Sequence, residues 1–216
     1  MKLKKIASLM LAGVMAVSML AGCNTASNGG NNGGEGEGEG QVSTSNSSSI
    51  LHDAMEGDAR KMTTPVANAA LDTALKNAVD TYFQNEGFAN LSSSVAVKEK
   101  DESKIADALI SAMNAKTNIN QDLAAANDND KVTTVVKLYA VEASVSDTYA
   151  LEQVANEIET SVAGLSEDSQ NGEWSYTYTV SASIVTKPVT SVIASGVTTG
   201  VKYIAVAVTQ TPTKVV

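Results

Sequence analysis

The stretch Glu173-Trp174-Ser175-Tyr176-Thr177-Tyr178-Thr179-Val180-Ser181-Ala182-Ser183-Ile184-Val185-Thr186 decides the fold. Trp174, Tyr176, Tyr178, Val180, Ala182 and Ile184 fall on one face, and only Ser and Thr fall on the other through Ser183. Strict period-two alternation of β-branched and aromatic residues specifies a strand with one buried face. Asn171-Gly172 marks the turn into it and Lys187-Pro188 the turn out. Val189–Ala194 and Val201–Gln210 are two further strand candidates, joined as a hairpin across Gly196 and Gly200.

Upstream, strand and helix patterns alternate. Lys131–Val145 is β-branched and apolar on both faces, as expected of a central strand. Asp147 opens a helix carrying Leu151, Val154, Ala155, Ile158 and Val162, and Gly164 ends it. Ser92–Lys98 is a shorter strand candidate, followed by a helix capped at Asp101 or Ser103. The pairs 94–115 and 132–163 resemble each other only as a strand followed by a capped helix does. Both strand–helix–strand units suit parallel crossovers. Leu123 suits a turn of helix.

Thr64-Pro65 reads as the cap and first position of a helix. Its apolar rows are Val66, Ala70, Ala74, Ala78 and Tyr82, and Ala67, Leu71, Leu75, Val79 and Phe83; Gly87 stops it. Asn68, Asp72, Lys76 and Asp80 mark its solvent side. Ile50–Met62 reads as one short helix. The expected fold is α+β: a mixed, largely antiparallel sheet with helices packed on one face, a two-layer sandwich. Because one face of 174–184 is wholly Ser and Thr, the aromatic face is the one expected to meet the helices.

The first residues carry an address. Lys2, Lys4 and Lys5 precede a short apolar run, Ile6–Leu20, which leads into Leu20-Ala21-Gly22-Cys23. This segment resembles the lipobox signal peptide of bacterial lipoproteins. The resemblance covers residues 1–23 and implies cleavage before Cys23, diacylglycerol on its thiol and often acylation of the new amine. The implied location is the extracytoplasmic face of the cell membrane, with a Gram-positive type of surface favoured. Residues 1–22 are then the signal and 23–49 the lipidated cysteine and a flexible Gly/Asn/Ser/Glu tether. Residues 50–216 form a single ectodomain. A tether of this composition spans about 25–30 Å. Its Gly36–Gly40 run lacks the flanking strand and helix of a phosphate loop.

Cleavage removes three lysines and no acid. Lys+Arg falls from 15 to 12 against 24 Asp+Glu, so the net charge moves from −9 to −12. Such a surface argues against nucleic acid and anionic lipid as electrostatic partners. Cys23 is the only cysteine, so the fold holds without an intrachain disulfide.

Few residues invite chemistry. His52 is the only histidine and, with no free thiol, makes no zinc site. Asn127-Asp128-Asn129-Asp130 offers oxygen ligands but lacks the glycine and distant Glu of a calcium loop. Glu142, among apolar strand residues, and Glu173, at the mouth of the aromatic strand, are the candidate acid/base pair. Burial favours the neutral form of a carboxyl. Glu142 paired with Lys137 is the plain alternative. Trp174, Tyr176 and Tyr178 suit stacking on sugar rings if exposed, and the core if buried. Gly200–Val206 is similar to the closing strand of the CAP (cysteine-rich secretory/pathogenesis-related) family, whose paired His and Glu have no counterpart here. No cofactor is implied.

The expectation is a membrane-anchored lipoprotein with an acidic α+β binding domain for a glycan or a surface protein. A carboxylate-dependent glycan- or cell-wall-active enzyme and a structural subunit of a surface assembly are the alternatives.

Overall fold

The computed structural model describes residues 44–83, 98–100, 103–127, 129–188 and 200–215. Cys23 with its lipobox, Gly87 and the 189–194 strand lie outside them, as does most of the 92–98 strand.

The elements run α1 (Thr44–Ala54), α2 (Gly57–Met62), β1 (Thr63–Pro65), α3 (Ala69–Tyr82), β2 (Lys98–Glu99), α4 (Lys104–Met113), α5 (Ile119–Asp122), β3 (Thr133–Glu142), α6 (Asp147–Ala163), β4 (Trp174–Pro188) and β5 (Gly200–Lys214). A turn of 3-10 helix, Ala125–Asn127, follows α5. The strands form one sheet in the order β1-β4-β5-β3-β2. β1 is parallel to β4 and every other pairing is antiparallel, so the sheet is mixed and largely antiparallel and the fold is α+β. β4 and β5 pair directly, from Trp174 with Lys214 to Pro188 with Gly200. β2 and β3 are adjacent and antiparallel, so the first strand–helix–strand unit is not a parallel crossover. β3 and β4 are parallel to each other, but β5 lies between them.

Helices cover both faces of the sheet, which corrects the one-face, two-layer expectation. On one face, Val135, Tyr139, Val141, Tyr176, Tyr178, Val180, Ala182, Ile204, Val206 and Val208 pack with Leu51 of α1, Met55 just past its end, Ala59 of α2, Ile119 of α5 and the α6 row Leu151, Val154, Ala155, Ile158 and Val162. On the other, Val136, Leu138, Ala140, Tyr203, Ala205 and Ala207 pack with Leu71, Leu75 and Val79 of α3 and Ile105 and Leu109 of α4. The two sets alternate along β3 and β5, as the pleat requires. Strands apolar on both faces need cover on both, and β5 is buried from Gly200 to Val208.

The Ser/Thr face of β4 is not a solvent face where α3 crosses it. Asn68 donates to Ser181 Oγ (3.4 Å), Ser183 Oγ donates to Asp72 (2.6 Å), and Lys187 pairs with Asp80. The α3 row that reads as solvent-facing therefore runs along β4. The geometry fits: twelve helical residues rise about 18 Å, and the six strand residues from Ser181 to Lys187 about 20 Å.

Three boundaries move. Residues 44–49, expected in the tether, belong to α1, where Ser47 and Ser48 are fully buried. Ser48 Oγ accepts from the amide of Ala182 (3.0 Å), supplying β4 with a partner beyond the end of β1. Thr63-Thr64-Pro65 is a strand rather than a helix start, and Asn68 caps α3, its side chain accepting from the Leu71 amide. Proline is tolerated there because β1 is an edge strand. Ile50–Met62 is two helices, broken at Met55-Glu56, with Gly57 at φ +55°. By contrast Ser103 caps α4, and α6 spans the expected residues with Ser146 as its cap and Gly164 at its end.

Candidate functional site

The residues singled out from sequence do not converge. Glu142 is half-buried at the end of β3, opposite Val201. Glu173 is exposed before β4, whose Trp174 faces Lys214. Val201 and Lys214 are thirteen positions apart on β5 (214 − 201), which places the two carboxylates on the order of 40 Å apart. A glycosidase pair needs a separation of about 5–9.5 Å. Lys137 cannot serve Glu142 either, because five positions along a strand put the two on opposite faces. It pairs instead with Glu99 of β2, at 2.5 Å.

Tyr176 and Tyr178 are 3% and 2% exposed, beneath α1 and α6, so they belong to the core and not to a stacking platform. Trp174 is half-buried at the margin, with Lys214 Nζ 6.0 Å from its ring centre. Tyr178 also enters a buried polar network that the sequence does not announce. Its hydroxyl donates to Ser166 O (2.7 Å) and accepts from Gln210 Nε2 (3.1 Å). Gln210 is fully buried; it reaches Leu123 O (3.3 Å) and accepts from Asn129 (3.4 Å). Burial raises the Tyr178 phenol above its ordinary value, and the Gln210 hydrogen bond acts the other way.

Asn127 and Asn129 donate their amides to the carbonyls of Gln121 (2.6 Å) and Asp122 (3.3 Å), holding the loop that feeds β3. Asp128 lies outside the described residues. Among those residues no group of three or more His, Cys, Asp or Glu side chains comes together as a metal site. His52 Nε2 faces the carbonyls of Arg60 (3.1 Å) and Thr63 (3.0 Å). Both are acceptors, so this nitrogen carries the hydrogen, and the ring ties α1 to the start of β1.

What the fold does build is a groove. The elbow between α1 and α2 stands off α6 and leaves a depression of about 750 Å³. Ile50 and Ala54 supply its apolar part, and Asp53, Glu56, Arg60, Glu152 and Asn156 its polar walls. Asp53 and Arg60 are bridged at 2.7 Å. Thr148, Glu152 and Asn156 lie at spacing four on α6, so one helical stripe forms the wall. The broken helix makes the space. A continuous helix over 50–62 would continue past the elbow, whereas Gly57 lets the chain turn in a left-handed conformation.

No family model, curated protein or solved structure matches the chain. The similarity to the CAP family thus rests on Gly200–Val206 alone, residues that form the first half of β5.

Proposed function

We propose that this chain is a lipid-anchored extracytoplasmic binding protein whose α+β domain takes its ligand between the α1–α2 elbow and α6. The groove carries the reading. Its volume of about 750 Å³ falls within the range of about 300–1,000 Å³ usual for small-ligand sites. Its mix of apolar floor and convergent polar groups is also that of a binding cleft. Both walls are helices docked on the sheet, so the site is held by the core. Three carboxylates against one guanidinium favour a neutral or cationic ligand over an anionic one. The wide separation of Glu142 and Glu173 removes support from a carboxylate-pair enzyme.

The anchor rests on Leu20-Ala21-Gly22-Cys23. Among the described residues no helix is long and apolar enough to cross a membrane. Stable attachment through acyl chains takes two of them, at about 0.8 kcal/mol per buried methylene. Detergent-phase partitioning of the protein and of Cys23→Ser tests this part: the variant should move to the aqueous phase, and retention in detergent would defeat the anchor.

The groove is tested with Asn156→Trp, which fills it from an exposed helical position. Ligands found by thermal stabilisation in a panel of glycan fragments and neutral or cationic peptides should lose their effect on the variant. Unchanged stabilisation would place the site elsewhere.

A further inference from the structure

The first six residues of α1, Thr44-Ser45-Asn46-Ser47-Ser48-Ser49, are all Ser, Thr or Asn, which form helix poorly. At eleven residues α1 is also shorter than the roughly 12–15 that an isolated helix needs, so docking is what keeps it helical. Yet it fully buries one apolar side chain, Leu51, whereas α4, with ten residues, buries Ile105, Ala106 and Leu109. The other buried positions of α1 are Ser47 and Ser48. Ser48 Oγ accepts from the Ala182 amide, but Ser47 Oγ is buried without a hydrogen-bond partner. A hydroxyl in that state has given up water for nothing, so the docked helix carries a penalty that an open one would not. The far end of α1 is fastened. Met55 is buried just past it, His52 Nε2 donates to the Arg60 and Thr63 carbonyls, and Asp53 pairs with Arg60.

We propose that α1 is a strap, hinged at the Met55–Gly57 elbow, that lifts off the sheet as one unit while β3, β4 and β5 stay paired. Ser47 sets how readily it lifts. Lifting takes Ile50, Asp53 and Ala54 out of the groove and breaks the bond from Ala182 to Ser48. The role of the strap, a gate through which a ligand enters and leaves, rests on the groove as the binding site. The opening itself rests only on how α1 is docked. A helix this short loses its internal hydrogen bonds once undocked, so its amides and the Ala182 amide become exchangeable together. The competing explanation is that α1 leaves the sheet only when the whole domain unfolds. Ala182 would then exchange with the amides paired between β4 and β5.

The test is hydrogen exchange of the full chain in detergent, read by nitrogen-15 NMR with no ligand added. The amides of 48–54 should share one opening constant with the Ala182 amide, about tenfold or more above that of the amides paired between β4 and β5. Ser47→Ala should lower the shared constant about tenfold, the effect of removing an unpaired buried hydroxyl. Asn46→Ala, at an exposed position of the same helix, should lower it about threefold or less, the effect of helix propensity alone. Both are alanine substitutions within a helix, so neither threatens folding. Ala182 exchanging with the β4–β5 amides, and not with 48–54, would overturn the strap. A Ser47→Ala effect no larger than that of Asn46→Ala would overturn it as well. Because no ligand is present, either failure leaves the groove untouched, and a groove defeated by Asn156→Trp would leave the strap in place.

Discussion

Among the described glycines, Gly200 is the one where an added methyl group meets the tightest surroundings. It opens β5 at φ +154°, and a Cβ there would overlap the carbonyl oxygen of Lys187, with Pro188 Cα at 3.1 Å and Ala143 Cβ at 3.2 Å. The obstacle is backbone, which cannot rotate away as a side chain would. Gly200→Ala should destabilise by about 2 kcal/mol or more, the range of overpacked and strained sites. The midpoint of urea unfolding reads the loss, and an unchanged midpoint would mean that the β3, β4 and β5 ends are not so closely joined. Asp72 offers a second test, with a sign. Burial raises its carboxyl above the ordinary value, and the hydrogen bond from Ser183 acts in the opposite direction. The folded state therefore holds the proton to higher pH than the unfolded state does. Stability from this group is greatest below the unfolded value and falls as pH rises through the folded one. Asp72→Asn keeps an acceptor for Ser183 and removes the titration. Its stability should decline less than that of the parent from acid to neutral pH, as read by denaturant midpoints across that range. Asp80 works the other way. Hydrogen bonds from Lys187 and Lys76 lower its carboxyl, so its contribution is present at neutral pH and is lost as pH falls. Its exposure keeps that contribution small.

At the scale of the element, α1 shows what patterning conceals. Its buried row is Ser47 and Leu51 at spacing four, continued by Met55 just past its end, with Ser48 beside it. Half of that stripe is serine, and it emerges from a Ser/Asn run, so composition assigns it to the tether. The burial of Ser48 follows from an edge. β1 stops at Pro65 opposite Val180, Val66 adds one bond to the Val180 carbonyl, and Ala182 then needs a partner. Ser48→Ala removes the acceptor and leaves a buried amide, at a cost of about 1–3 kcal/mol. Hydrogen exchange should show the Ala182 amide losing protection by tenfold or more, while amides between β4 and β5 keep theirs. Equal change at both would mean that α1 acts only through packing. The same physics explains what was legible. β4, α4 and α6 declare themselves because one apolar face or a cap fixes each in isolation. The α3–β4 contact does not, since Asn68, Asp72 and Asp80 find their partners more than a hundred residues away, and a polar row reads as solvent-facing until its complement is placed opposite. The groove is legible only as Gly57, and Lys137 only as a charge at an odd place in an apolar strand.

For the whole molecule, the question is whether a valine- and threonine-rich sheet can stay alone. Its longest strands, β4 and β5, are neighbours, and β5 is enclosed by β3 on its other side. The outer edge of β4 is covered in pieces: Glu167 and Ser169 bond to Tyr176 and Trp174, β1 covers 178–180, and Ser48 takes Ala182. The outer edge of β3 is covered likewise, by Lys116 bonding to Thr134 and Val136, by Lys100 bonding to Leu138, and by β2. Short, interrupted cover of this type is how sheets avoid joining other sheets, because another strand would first have to displace several separate segments. The acidic balance adds repulsion between copies. The chain should therefore sediment as a monomer. Cys23→Ser, which removes the proposed lipid attachment point, is the form to use. Sedimentation velocity should give one species at the mass of a single chain, with no dependence on concentration and no response to added salt. A heavier species that grows with concentration would revive strand pairing into a surface assembly. If high salt alone produced that species, charge rather than edge cover would be what holds the copies apart.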